Sequence, residues 1–262
     1  MLPFIHIGHF ALPTFGLLMW LAAVAACVVL HVDFRRNGAS ADAVNIVAVT
    51  TLAGVIGAKL WHVLESPHQF AAAPFAVLFD REGFAWYGGL VFGILALIIQ
   101  GRRFPKGPLQ LLDLAAPAAA VGYGVGRLAC FVSGDGDYGI ASNVPWAMAF
   151  PNGLVPTEPG VRVHPTPLYE LFFGLVLAAY LWWRGRAPRP LGLLTAEFLV
   201  LSGIGRFLVE IIRRNPKIYF GMSNAQVASL ATILAGLLLG IWSLRRAHRL
   251  SSTARVSSAR AA

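Results

Sequence analysis

Charge is scarce in this sequence. Only 13% of its 262 residues are Asp, Glu, Lys or Arg, against 57% that are hydrophobic, whereas ordinary soluble domains carry about a quarter charged and about half apolar residues. That scarcity excludes a water-soluble globular domain and leaves a polytopic membrane protein. Cysteine is scarcer still: Cys27 and Cys130 are the two. Both fall inside apolar runs, which excludes a disulfide framework and a zinc site and leaves the redox compartment open. Neither a nucleotide-cradling loop nor a metal-ligand spacing occurs, so no cofactor and no metal is expected. Lys and Arg are missing from the amino end until Arg35. The run ending Val24-Ala25-Ala26-Cys27 looks like the end of a cleavable signal but lacks its basic start. Because apolar residues continue through Val32, it reads as the first spanning helix.

What charge there is sits in short loops. Seven apolar runs are long enough for a bilayer core, which takes about 20 residues: 12–32, 43–64, 85–100, 109–133, 167–183, 191–212 and 225–244. The third and fifth are short, and Asp113, Arg127 and several glycines weaken the fourth. Arg35 and Arg36, then Arg102, Arg103 and Lys106, then Arg184, Arg186 and Arg189, then Arg245, Arg246 and Arg249 all follow odd-numbered runs. The loops at 65–84 and 134–166 hold one basic residue each, Arg81 and Arg162. Positive charge marks the cytoplasmic side, so the expected protein is all-α with seven transmembrane helices, amino end outside and carboxyl end cytoplasmic. Arg213, Arg214 and Lys217 break that pattern on the outer side, which either weakens the orientation or marks a basic surface for anionic headgroups. The expected organisation is one membrane domain over 1–249 and a disordered cytoplasmic tail over 250–262, rich in Ser, Ala and Arg. With the net charge of +9 distributed as topology signals, nucleic acid is not an expected partner.

One stretch departs from this apolar pattern. Gly122-Tyr123-Gly124-Val125-Gly126-Arg127-Leu128-Ala129-Cys130-Phe131 carries an arginine inside a spanning run and leads into a loop with Asp135 and Asp137. An arginine in hydrocarbon costs ~3 kcal/mol on insertion scales, so it needs a partner, water or an anionic ligand. At ~1.5 Å per residue, Lys59, Tyr87, Arg127, Glu170, Arg206 and Glu210 all fall in the outer third of the membrane. Six polar side chains at one depth describe a cavity opening toward the outer leaflet, while Asp113 and Glu197 lie toward the cytoplasmic side. Arg206 and Glu210 are one helical turn apart and share a face.

Two arginines aimed into such a cavity point to a phosphate ligand, because the guanidinium fork matches phosphate oxygens and keeps its charge. A phospholipid is the anion found there. If a bond to that phosphate breaks, the same arginines hold the developing charge, and Asp135, Asp137, Glu210 or Tyr87 is a candidate base for the incoming nucleophile.

The block Gly126-Arg127-Leu128-Ala129-Cys130-Phe131, followed by Gly134-Asp135-Gly136-Asp137-Tyr138-Gly139, resembles the signature of bacterial prolipoprotein diacylglyceryl transferases. Three more blocks agree in order: Trp86-Tyr87-Gly88-Gly89-Leu90, His164-Pro165-Thr166-Pro167-Leu168-Tyr169-Glu170, and Gly205-Arg206-Phe207-Leu208-Val209-Glu210. The likeness also takes in Pro13-Thr14-Phe15-Gly16 and Gly57-Ala58-Lys59-Leu60, so it spans nearly the whole chain.

The resemblance implies a seven-helix enzyme of the bacterial inner membrane, with its site facing the outer leaflet. Such an enzyme transfers the diacylglyceryl group of phosphatidylglycerol to the lipobox cysteine thiol of a prolipoprotein and releases glycerol phosphate. By motif, Arg127 and Arg206 are the phosphate-handling arginines, Glu210 partners Arg206, Gly139 makes the tight turn that closes the signature loop, and Asp135 stands where other members have glutamate. Asp137, His164, Tyr169, Glu170 and Lys59 complete the expected substrate-binding set. The chain departs from the family at Tyr87, where many members have His, at Cys130, where they have Asn, and at Phe15, where Tyr is usual; its signature loop looks one residue longer. A tyrosine hydroxyl is a poor base at neutral pH without help from a neighbouring cation, so Tyr87 is expected to orient substrate by hydrogen bonding more than to act as the base. The loop defines a Gly-Asp-Gly-Asp-Tyr-Gly branch of the family.

Other readings stay open from sequence alone. Arg127 and Arg206 with Glu170 and Glu210 either serve the site or only tie helices together. His164 either caps the fifth helix or lines the cavity; Lys59 either snorkels to headgroups or serves the site; Asp135 and Asp137 either form turns or act chemically. Gly122-x-x-x-Gly126 reads as a close helix contact, and Cys130 in apolar surroundings is a poor nucleophile. The main functional alternative is a lipid-binding or lipid-moving paralogue without chemistry. A receptor or transporter fits less well, since no inverted repeat occurs.

Overall fold

The computed structural model describes residues 1–80 and 83–261, with side chains described through Ser252. Arg81, one of the loop charges used for orientation, lies outside the described residues. In chain order the elements are β1 (Phe4–Ile7), β2 (Phe10–Pro13), α1 (Thr14–Arg36), α2 (Ala43–Glu65), α3 (Pro67–Ala72), α4 (Pro74–Phe79), α5 (Trp86–Gly101), α6 (Pro108–Ser133), α7 (Thr166–Arg184), α8 (Leu193–Ile211), β3 (Lys217–Tyr219), β4 (Met222–Ser223) and α9 (Asn224–Ala261).

Each apolar run of the sequence corresponds to a helix. In hydrocarbon every backbone N–H and C=O must be bonded within its own segment, which is what a helix does. α1, α2, α6, α7 and the Asn224–Ser252 part of α9 are long and apolar enough to cross a membrane. α5 is apolar but has 16 residues, and α8 has 19 that include Glu197, Arg206 and Glu210. Exposed Trp20, Leu64, Phe172 and Trp183 belong to apolar faces that water would not tolerate at this extent. The protein is therefore a mostly helical, multi-pass membrane protein. Past Leu250, where the sequence predicts disorder, α9 runs on as helix to Ala261.

The chain divides into two compact units, Leu30–Leu112 on the one hand and Met1–Val29 with Asp113–Ala262 on the other. In the Leu30–Leu112 unit, α2 and α5 meet through glycines. A methyl at Gly88 would collide with the Gly57 carbonyl oxygen and with Trp61, and one at Gly57 would collide with Phe92. Tyr87 stands beside this contact, half-buried, with its ring edge-on to Trp86 at 5.4 Å. Lys59 does not snorkel: it is buried, donates from Nζ to the Asp80 carbonyl at 2.9 Å and lies 4.7 Å from the Phe84 ring centre.

In the larger unit, α6 and α7 approach at Gly124 and Gly174, where a methyl on Gly174 would lie 2.8 Å from Gly124 Cα. Small residues permit such backbone approach in lipid. Gly122 and Gly126 face Ala26 and Met19 of α1 at ordinary or slightly tight distances, which bears out their reading as a helix contact. Ala116, Ala120, Leu177, Ala178, Leu181 and Leu194 form the buried seam between α6, α7 and α8. Asp113 of α6 supplies the cap that α8 lacks locally, accepting from Gly192 N and Thr195 N at 2.8 Å each and from Thr195 Oγ1 at 2.6 Å. A shared carboxylate thus satisfies otherwise unpaired amides at the helix start. Glu197 pairs with Arg184 at 3.2 Å.

The segment from 134 to 165 has its own small core. Tyr138, Phe150 and Val163 are buried together, with Tyr138 stacked on Phe150 at 5.0 Å. Its left-handed turns fall at Gly134, Gly136 and Gly160, with φ of 61°, 93° and 79°. Gly139, expected as the turn residue, instead permits a close approach. It bridges to Arg213, and a methyl there would lie 2.6 Å from the Ile212 carbonyl oxygen and 2.9 Å from His164 Cβ.

Candidate active site

Three helices and two loop segments of the larger unit bring a set of opposite charges together. Glu170, near the start of α7, is 2% exposed and is ion-paired with three arginines. Arg206 Nη1 lies 2.9 Å from its Oε1, while Arg213 Nη1 at 3.1 Å and Arg127 Nε at 3.7 Å approach Oε2. Tyr123 donates its hydroxyl to the same carboxylate, and its ring lies 5.0 Å from the Arg127 guanidinium. Glu210 takes Arg206 Nη2 at 2.8 Å, so the expected Arg206–Glu210 pair forms. Asn215 Nδ2 at 2.5 Å and Ser223 Oγ at 2.8 Å donate to the other oxygen of Glu210. Asp137 accepts from Arg127 Nη1 at 2.6 Å and from Arg213 Nη2. Three guanidiniums thus face three carboxylates, which offsets the cost of burying each charge.

Arg213 is the residue that loop counting misplaces. Its side chain is 4% exposed and is paired with Asp137, Glu170 and Glu210, so it belongs to the site and not to a headgroup-facing surface. The only hint in the sequence was a basic residue on the wrong side of the topology pattern. Tyr123, Asn215 and Ser223 carried no signal beyond their proximity to the blocks.

The two loop aspartates differ. Burial alone would raise the Asp137 carboxyl, but Arg213, then Arg127 and Arg206, outweigh it and hold it below the usual carboxylate range. Asp135 is pushed the other way, by burial first and by the Asp137 charge second. It also forms a turn, its Oδ1 accepting from Asp137 N at 3.1 Å. Of the two, Asp135 is therefore the more readily protonated and Asp137 the more readily ionised. A raised carboxyl pKa destabilises the fold above that pKa and ceases to do so below the unfolded value near ~4. Asp135→Asn is accordingly expected to melt higher than the parent at about pH 7, with the difference shrinking toward about pH 4. Melting curves in detergent across that range would check it; a lower neutral-pH midpoint for the variant would oppose it.

Cys130 Sγ and one oxygen each of Asp135 and Asp137 lie within 4.8 Å of one another. This grouping is poorly suited to a cation, since Asp137 is engaged by two arginines and Arg127 Nη1 stands 3.7 Å from the sulfur.

His164 does not cap α7, whose cap position is Pro165 without a side-chain bond. Its Nδ1 lies 3.1 Å from Tyr169 Oη, which accepts from Trp146 Nε1 at 2.6 Å. The Tyr169 hydroxyl thus links the His164 ring to the Trp146 indole, which is a donor only. Arg127, Asp135, Asp137, Gly139, His164, Tyr169, Glu170, Arg206 and Glu210 all lie in the larger unit, and Lys59 and Tyr87 in the other.

This arrangement can be set beside known proteins. The family model for prolipoprotein diacylglyceryl transferase matches residues 3–242. The chain belongs to the prolipoprotein diacylglyceryl transferase family. Among its relatives, a phosphatidylglycerol–prolipoprotein diacylglyceryl transferase of Bordetella avium is 33% identical over 258 residues, covering 94% of this chain and 95% of that protein. One of the same name from Methylibium petroleiphilum is 35% identical over 251 residues, 90% of each chain. Another from Geobacter sulfurreducens is 32% identical over 254 residues, 93% of this chain and 95% of its own. Membership in the transferase family accounts for the order of the blocks around Arg127, Glu170 and Arg206, and leaves a receptor or transporter without support.

Proposed function

We propose that this chain transfers the diacylglyceryl group of phosphatidylglycerol to the lipobox cysteine thiol of a prolipoprotein. In that reaction sulfur bonds to the glyceryl carbon as the carbon–oxygen bond to phosphate breaks, the thiol loses its proton to a base, and glycerol phosphate departs. The reading places the enzyme in the bacterial inner membrane as a single seven-span domain, amino end outside and carboxyl end cytoplasmic, with its site at the outer leaflet. It assigns the chain to the branch with the Gly-Asp-Gly-Asp-Tyr-Gly loop.

The observation that carries this reading is the set of three arginines around Glu170 in a family of this activity. Preorganised guanidiniums in a water-poor site stabilise charge developing on a leaving phosphate without reorganising. Their charge is balanced by carboxylates of unequal exposure: the side chain of Asp137 is 35% exposed, those of Glu170 and Glu210 2% and 0%. An entering phosphate therefore takes the place of Asp137 on Arg127 and Arg213, while Glu170 and Glu210 hold the arginines in position. Asp135, the more readily protonated of the two loop carboxyls, receives the thiol proton, and Arg206, Arg127, Glu210 and Tyr87 complete the catalytic set. Gly139, His164, Tyr169 and Lys59 belong to the substrate-binding set through their family blocks.

If Asp137 competes with the lipid phosphate, Asp137→Asn lowers KM for phosphatidylglycerol about 3- to 10-fold, as losing ~1 kcal/mol of competing interaction would. It also lowers the melting midpoint, because two arginines lose a charged partner. A KM that rises would contradict the exchange. The activity itself is tested in cells depleted of their own transferase: expression of this chain restores the diacylglyceryl mass gain on a reporter prolipoprotein. Expression at normal levels without that gain would favour the lipid-binding paralogue.

A further inference from the structure

The hairpin between α8 and α9 carries an aromatic residue where both sterics and solvent disfavour it. Tyr219 pairs with Met222, so Phe220-Gly221 is a two-residue loop, and both of its residues have positive φ, 47° and 78°. Turns with two left-handed residues favour Asn, Asp or Gly at the first of them. Phe220 is there instead, 100% exposed, with Ile218 and Tyr219 also exposed beside it and Arg214 and Lys217 exposed at the foot of the hairpin. Strain held at an exposed position points to a use for the residue outside the fold.

We propose that the tip Ile218-Tyr219-Phe220 inserts into the headgroup–acyl boundary of the membrane that holds the protein. Lys217 and Arg214 then meet anionic headgroups. The hairpin joins α8 and α9 at the end of the unit where Arg213 bridges to Gly139. Aromatic side chains with flanking basic residues match the chemistry of that boundary. The feet of the hairpin, Asn215 and Ser223, both donate to Glu210, so the inserted tip ties the carboxylate that holds Arg206 to the lipid surface. This inference rests on the membrane reading of the helices and not on the transferase reaction.

The test attaches an environment-sensitive fluorophore to Phe220→Cys in nanodiscs of phosphatidylcholine and phosphatidylglycerol. The parent, with Cys27 and the buried Cys130, sets the labelling background. The expected result is quenching by shallow nitroxide lipids several-fold stronger than by aqueous iodide. Stronger quenching by iodide overturns the proposal, as does nitroxide quenching that appears only when a signal-peptide segment is added, which would assign the tip to a peptide. An unlabelled variant guards against a misfolded conjugate. Phe220→Gly relieves the positive φ and is expected to melt higher than the parent in detergent, yet to lose most of the further gain that added phosphatidylglycerol gives the parent. A variant that keeps the full lipid-induced gain also overturns the proposal.

Discussion

Glu170→Ala is expected to lower the melting midpoint further than any other single truncation in the ion-pair cluster, and to abolish transfer. The carboxylate is 2% exposed and receives Arg127, Arg206, Arg213 and the Tyr123 hydroxyl. Without it, three guanidiniums share Asp137 and Glu210, and a buried charge loses its partner at a cost of about 3–5 kcal/mol. Tyr123 also loses its acceptor. Glu170→Gln separates charge from shape: it keeps an oxygen for Tyr123 and Arg206, and its loss is expected to be roughly half as large, since a neutral acceptor makes the weaker bond. Thermal unfolding of detergent-solubilised protein measures both variants. A parent-like midpoint for Glu170→Ala would mean that the arginines find other partners without strain.

Arg206→Ala is expected to reduce kcat by about 10²–10³-fold, the usual cost of removing one preorganised donor from a developing anion. Arg206 is held from two sides, by Glu170 at 2.9 Å and Glu210 at 2.8 Å, so its fork is oriented before any ligand arrives. Arg206→Lys is expected to recover only part of the rate, because a single ammonium cannot reach both carboxylates and a phosphate. The kinetic split distinguishes chemistry from scaffolding. A role at the leaving phosphate lowers kcat in correctly folded protein, whereas a purely structural tie would lower the midpoint and leave the kcat of the surviving fraction intact. Measured turnover per folded molecule near that of the parent would remove Arg206 from the catalytic set.

The sequence reveals the part of the site that lies on helices at family-like spacing. Arg127, Glu170, Arg206 and Glu210 come together as their shared depth predicts, because a fixed rise per residue converts position along a spanning helix into height. Arg213 was hidden for a physical reason: counting loop charges treats a basic residue as a topology signal, and says nothing about whether it folds back under a carboxylate. Lys59 misled in the same way, since the snorkelling argument assumes an outward path that its bond to the Asp80 carbonyl replaces. The long helices follow from apolar length, but α8 begins where a carboxylate 79 residues away caps it, a signal that no local pattern contains. The hairpins β1–β2 and β3–β4 and the small core around Tyr138 and Phe150 have too few residues for any period to register. Gly139 shows the limit of motif reading: its place in the signature loop was evident, while the need it meets, close approach to Ile212 and His164, requires the fold.

The most direct measurement is a reconstituted reaction of purified protein, phosphatidylglycerol and a lipobox peptide, followed by the mass of the peptide and by released glycerol phosphate. The account predicts one diacylglyceryl mass gain on the cysteine for each glycerol phosphate released, with both signals lost together in Arg206→Ala. No mass gain from lipid-bound, folded protein, in a mixture where another member of the family is active, would contradict it.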